Sequence, residues 1–120
     1  MKLAFIVDPL DDFKLEKDTT YAIMREAAAR GHTLYAMEQD DLAWHKQIVT
    51  GHAARLHLTG EVLSWYRLDA PADTPLEKFD AVLMRKDPPF DMEYVYSTYL
   101  LEIAERRGAR VFNRPQAIRD

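Results

Sequence analysis

At 120 residues, with 48% hydrophobic and 30% charged side chains, the chain has the size and balance of one globular domain around a single core. A formal net charge of -4 and a pI near 5.5 argue against a nucleic-acid surface, which needs a basic face. There is no cysteine, so a disulfide framework, a thiolate metal site and a cysteine nucleophile are excluded.

No apolar run approaches the ~20 residues of a membrane span. The first apolar run ends at Asp8 and is too short for a signal peptide. A cytoplasmic domain that touches neither membrane nor nucleic acid is therefore expected.

In chain order, Leu3-Ala4-Phe5-Ile6-Val7 reads as a central parallel strand, because its continuous apolar run suits burial on both faces. It ends at Asp8-Pro9, and a polar stretch leads to Asp18-Thr19-Thr20, which offers N-caps for a helix. That helix runs to Arg30 with Tyr21, Met24, Ala27 and Ala28 on one face, and Gly31 takes the C′ position. A second strand follows over roughly residues 32–37.

Residues 40–75 break the βα alternation. Ile48-Val49, Arg55-Leu56-His57-Leu58 and Val62-Leu63-Ser64-Trp65-Tyr66 are short β-prone pieces separated by Gly51 and Gly60. They predict an inserted antiparallel meander or hairpin. Trp44, Trp65 and Tyr66 are read as partial cover for a sheet edge, and residues 71–75 as a loop. A brief turn over residues 76–79 enters the next parallel strand, residues 80–84.

Asp91 is the expected N-cap of a second helix, with Phe90 placed to staple onto Val95. The helix extends to about Arg107, with Met92, Val95, Tyr96, Tyr99 and Ile103 as its buried face, and Gly108 stops it. Arg110-Val111-Phe112 forms a last short strand. The resulting β-α-β-(meander)-β-α-β pattern is a small doubly wound α/β sheet. Right-handed crossovers bring Asp8-Pro9, Arg85-Lys86-Asp87 and Asn113 to one edge, together with both helix N-termini. Open α/β sheets bind ligands at such an edge.

The most distinctive stretch lies there. Met84-Arg85-Lys86-Asp87-Pro88-Pro89-Phe90-Asp91 is a stiff, charged elbow, since its two prolines hold Asp87 and Pro88 out of helical geometry. Arg85 and Lys86 either hold an anionic ligand, for which guanidinium offers two parallel bonds, or pair with Asp8 or Asp87. Asp87 either accepts from a ligand amine or caps the next turn. His32, His45, His52 and His57 make no metal-ligand spacing on a helix. With four glycines and no GxGxxG, there is no Gly-rich phosphate loop.

The elbow resembles the signature of the N-terminal domain of bacterial glutathione synthetases. The likeness continues in order through Val7-Asp8-Pro9, Lys17-Asp18-Thr19-Thr20, Tyr99-Leu100-Leu101-Glu102 and residues 113–120. It covers nearly the whole chain and is least distinctive over residues 40–76. The resemblance implies a Rossmann-like pre-ATP-grasp domain spanning residues 1–120. It further implies an ATP-grasp ligase that joins γ-glutamylcysteine to glycine with ATP and magnesium, and a homo-oligomer.

By the same resemblance, Arg85, Asp87 and Asp8 are the substrate-binding candidates. No catalytic, cofactor or metal residue is assigned to this chain, because nucleotide and magnesium would be bound mainly by an ATP-grasp domain beyond it. The polar Arg119-Asp120 end reads as a cut through a linker, leaving a domain that is not expected to be active alone. The alternative is a stand-alone module that binds a small anion or a partner protein without catalysis.

Overall fold

A computed structural model describes residues 1–87 and 91–113. Four parallel strands form its spine: β1 (Lys2–Ile6), β2 (Thr33–Met37), β7 (Ala81–Met84) and β8 (Val111–Asn113). They lie in the order β2-β1-β7-β8, with β1 between β2 and β7. Helix α1 (Thr19–Ala29) connects β1 to β2, and α2 (Met92–Arg106) connects β7 to β8. The expected βα alternation is present.

The two crossovers leave β1 and β7 in opposite lateral directions, so the same handedness puts their helices on opposite faces. Alternation along β1 shows this directly. Phe5 and Val7 pack with Met24, Ala27 and Leu34 beneath α1. Ala4 and Ile6 pack with Val82, Met84, Leu100, Leu101 and Ala104 beneath α2. Phe5 and Ile6 are fully buried, each worth about 1.5–3 kcal/mol of transfer free energy.

The insertion is antiparallel, as expected, but its strands fall differently along the chain. In place of short pieces there is one long strand, β4 (Ile48–Leu58), which runs through Gly51. A Cβ at Gly51 would collide with the Met37 side chain and press on Leu76, so that glycine permits close packing and does not end the strand. The second half of β4 lies antiparallel between β2 and β5 (Tyr66–Leu68). Its first half lies between β3 (Leu42–His45) and β6 (Ala72–Pro75).

Two of these strands were read otherwise in the sequence. Strand β6 occupies the stretch expected to be a loop, and β3 begins before the first β-prone piece. The β3-β4 hairpin turns on Lys46 and Gln47, with φ of 50° and 68°, the left-handed pair of a two-residue turn usually supplied by Asn-Gly. Only Tyr66 of the predicted 62–66 strand is in β5.

Trp65 is likewise no edge cover. It is buried on the α1 side, stacked on Phe13 at 5.2 Å and edge-on to Tyr21 at 5.1 Å.

Helix α2 differs most from expectation. Its buried residues are Tyr94, Ser97, Leu100, Leu101 and Ala104, whereas Met92, Val95, Tyr96 and Tyr99 are exposed. The expected apolar face points away from the sheet. Both stripes keep three-and-four spacing, and Ser97 disguises the inner one. Its hydroxyl is buried but donates to the Glu93 carbonyl at 2.9 Å, so a polar residue sits inside at little cost. The Phe90 staple lies outside the described residues.

Candidate functional site

Strands β1 and β7 are neighbours, and the chain leaves them on opposite faces. Their carboxyl ends therefore flank the crevice where an open α/β sheet receives a ligand. Arg85 extends β7 by one backbone bond, its N–H donating to the Ile6 carbonyl at 2.8 Å. The elbow thus starts in strand register with β1.

Asp8, just past β1, fixes the elbow in place. One carboxylate oxygen accepts from Lys86 Nζ at 3.2 Å and the other from the Asp87 backbone N–H at 2.7 Å. Lys86 Nζ also donates to the Asp87 carbonyl at 3.3 Å. The Lys86 and Asp8 side chains are only 15% and 29% exposed, so the pair is partly shielded from solvent. Of the two readings open for Lys86, the structure shows the pairing with Asp8.

Arg85 points to the α1 side, as its alternation with Leu83 and Met84 requires. Its Nε donates to Thr20 Oγ1 at 3.1 Å, and Thr20 is buried in the first turn of α1. That turn is held by Asp18, whose side chain accepts from the N–H groups of Thr20 (2.9 Å) and Tyr21 (3.3 Å). Asp18 therefore serves as the N-cap its sequence position predicts.

Two cavities open between these parts. One of about 150 Å³ is lined by Lys17, Asp18, Thr19, Thr20, Arg85 and Asp87. Its neighbour, about 320 Å³, shares Lys17, Asp18 and Asp87 and adds Asp12 and Lys14. Both charge signs line them, which suits a ligand carrying carboxylates and an ammonium group together. Arg85 and Asp87 are in the cavity wall. Asp8 instead holds Lys86 and the Asp87 backbone. The capping alternative for Asp87 involves residues 88–90, outside the described residues.

Across the edge, beside β2, the field is acidic. Burial pushes Glu38 above the ordinary carboxylate range, and repulsion from Asp41, Asp40, Asp8 and Asp12 adds to it. A third cavity, about 270 Å³, is lined there by Val7, Leu10, Ala36, Met37, Ala54 and Leu68, with Glu38, Asp41 and Asp69 as its acids. Among the described residues that line it there is no lysine or arginine, and His52 stands with three carboxylates, so the cavity suits an anion poorly.

His45, His52 and His57 lie on the insertion, whereas His32 precedes β2 and meets the Met1 amino group at 3.1 Å. His52 meets Asp73 at 2.7 Å and His57 meets Asp69 at 2.9 Å. The His57 bond holds Asp69 below its ordinary pKa. Among the described residues no group of three His, Asp or Glu could hold a metal ion.

The family described as "Prokaryotic glutathione synthetase, N-terminal domain" matches residues 1–119. The chain belongs to this family. It is 62% identical over its whole length to a glutathione synthetase of Ralstonia nicotianae, of which it covers 37%. It is 58% identical to that of Nitrosomonas europaea and 46% identical to that of Pseudomonas aeruginosa, covering 38% of each. The chain thus spans under two-fifths of the length of these relatives.

Within this glutathione synthetase N-terminal domain, sequence reasoning located the elbow but not its opposite wall. Lys14, Lys17 and Thr20 were not singled out as site residues, although Lys17-Asp18-Thr19-Thr20 carried part of the resemblance. A usable signal was present: the N-terminus of the helix after β1 must open beside whatever follows β7. Among the described residues no helix is long and apolar enough to cross a membrane.

Proposed function

We propose that the chain is the N-terminal part of a glutathione synthetase, an ATP-dependent ligase that joins γ-glutamylcysteine to glycine through an acyl phosphate. In this reading it supplies binding surface for the peptide substrate and does not catalyse alone. The observation that carries the reading is the family match over residues 1–119. The mixed-charge crevice at the switch point supports it, because γ-glutamylcysteine carries two carboxylates and one ammonium group.

Arg85, braced by Thr20, grips a substrate carboxylate, with Lys17 alongside. Asp87 accepts from the substrate ammonium. Asp8 holds Lys86 and the Asp87 backbone so that the elbow keeps its shape before substrate arrives. A charge-assisted bond of the Arg85 kind contributes about 1.5–3 kcal/mol. The described residues show neither of two common devices for holding magnesium or a nucleotide phosphate chain. They converge no set of metal donors, and the sequence has no Gly-rich loop. ATP and magnesium are assigned to the part of the enzyme beyond this chain, and the whole enzyme to the cytoplasm as a homo-oligomer.

The test is steady-state kinetics of Arg85→Ala in the complete enzyme. The KM for γ-glutamylcysteine should rise about tenfold, equivalent to about 1.4 kcal/mol. Unchanged kinetics would remove Arg85 from the site and the crevice from the mechanism.

A further inference from the structure

The loop between β1 and α1 has two faces. Asp12, Lys14 and Lys17 line the larger cavity of the crevice. Asp11, Phe13 and Leu15 turn the other way, towards the insertion and the core beneath α1. The backbone bonds of the loop are local: Asp12 donates to the Pro9 carbonyl at 2.9 Å, Phe13 to Leu10 at 3.2 Å and Lys17 to Lys14 at 2.9 Å. These bonds shape the loop but do not fasten it to a neighbour.

The fastening comes from two adjacent aromatic residues of the insertion. The Tyr66 hydroxyl donates to Asp11 Oδ1 at 2.5 Å. The buried Trp65 ring stacks on Phe13 of the loop and meets Tyr21 of the first turn of α1 edge-on, so it wedges between the two parts that build this wall of the crevice. The pair is itself held firmly. Its rings touch at 4.9 Å, the Thr59 N–H donates to the Trp65 carbonyl at 3.0 Å and the Thr59 hydroxyl to the Ser64 carbonyl at 2.5 Å. From Tyr66 onward, β5 is paired to β4, and β4 to β2 of the parallel spine.

We propose that Tyr66 and Trp65 are positioning residues for the substrate crevice, clamping the β1–α1 loop so that Lys14 and Lys17 keep their place in its wall before γ-glutamylcysteine arrives. This rests on the ligase reading and deepens it, because it gives the insertion, none of whose residues lines the two cavities, a part in substrate binding. A loop fixed beforehand spares binding the entropy of ordering it. Lysine side chains benefit most, since they have many rotamers to lose. The clamp acts on substrate and transition state alike, so its loss appears in KM and not in kcat.

The test uses the complete enzyme with Tyr66→Phe, which removes the hydroxyl and leaves the ring against Trp65. The KM for γ-glutamylcysteine should rise about three- to tenfold, the effect of one lost hydrogen bond, while kcat and the KM for ATP hold steady. General loosening of the fold would move all of these together. Asp11→Ala should reproduce the effect, and the double variant should be no worse than either single one, because both remove the same bond. Brief trypsin digestion should cut after Lys14 about threefold faster in Tyr66→Phe, a readout independent of activity. An unchanged KM, single effects that multiply in the double variant, or unchanged cleavage would each overturn the clamp. If Arg85→Ala raises the KM and Tyr66→Phe does not, the clamp alone fails; if neither does, the crevice reading fails with it.

Discussion

Helices α1 and α2 are built to one plan and used in two ways. Each opens on an aspartate that caps its first turn, Asp18 bonding Thr20 and Tyr21 and Asp91 bonding Tyr94 at 3.0 Å. Each closes on a glycine with positive φ, Gly31 at 85° and Gly108 at 104°. In both, the next N–H reaches back to the same carbonyl of the last turn: His32 to Ala27 at 3.1 Å and Ala109 to Ala104 at 3.1 Å. Yet α1 buries Met24 and Ala27 from its readable stripe, while α2 turns its readable stripe outward. Local sequence chemistry sets where a helix starts and stops. Which face the sheet takes is decided by fit, and Ser97 and Ala104 let α2 approach closely where Tyr96 and Tyr99 would not.

The sharpest way to break this comparison is to truncate both faces of α2. Leu101→Ala should cost about 2–5 kcal/mol in urea unfolding, because it opens a cavity beneath the sheet-facing stripe. Tyr99→Ala should change monomer stability by only about 0.5 kcal/mol or less. Equal losses would mean that the faces are assigned the wrong way round. A smaller effect tests the shared plan. Asp18→Ala and Asp91→Ala should each cost about 1 kcal/mol, and a large disparity would show that the caps are not equivalent.

The smallest effect concerns protonation. Burial raises the Tyr94 phenol above its ordinary value of 10.0. Its neutral form is the one the fold accommodates, so its contribution is intact below pH 10 and declines as pH rises through the shifted value. Absorbance titration should therefore show a late-ionising phenol that Tyr94→Phe removes. The Tyr66 phenol, raised chiefly by its bond to Asp11, should remain.

The legible parts of this molecule were those governed by short-range rules. The apolar run at residues 3–7, the caps Asp18 and Asp91 and the stops Gly31 and Gly108 all act within a few residues of themselves. The parallel spine followed from them, and with it the edge that gathers Asp8 and Arg85. The insertion was not legible in the same way. Gly51 looks like a break until Met37, brought from another strand, occupies the space its missing side chain leaves. Residues 72–75 look like a loop because their strand character comes only from pairing with β4.

The site divides along the same line. Arg85 and Asp87 announce themselves through the proline-stiffened elbow. Thr20 and Lys17 join the candidate site only when the fold sets the start of α1 against the end of β7.

The central claim is that the crevice between β1, β7 and the start of α1 receives the peptide substrate. The most direct test is a ¹H–¹⁵N NMR titration of the 120-residue chain with γ-glutamylcysteine. Amide shifts should be concentrated at Lys17, Thr19, Thr20, Arg85, Lys86 and Asp87. Shifts concentrated instead at Glu38, Ala54 and Leu68 would place the ligand in the acidic cavity beside β2 and contradict that claim.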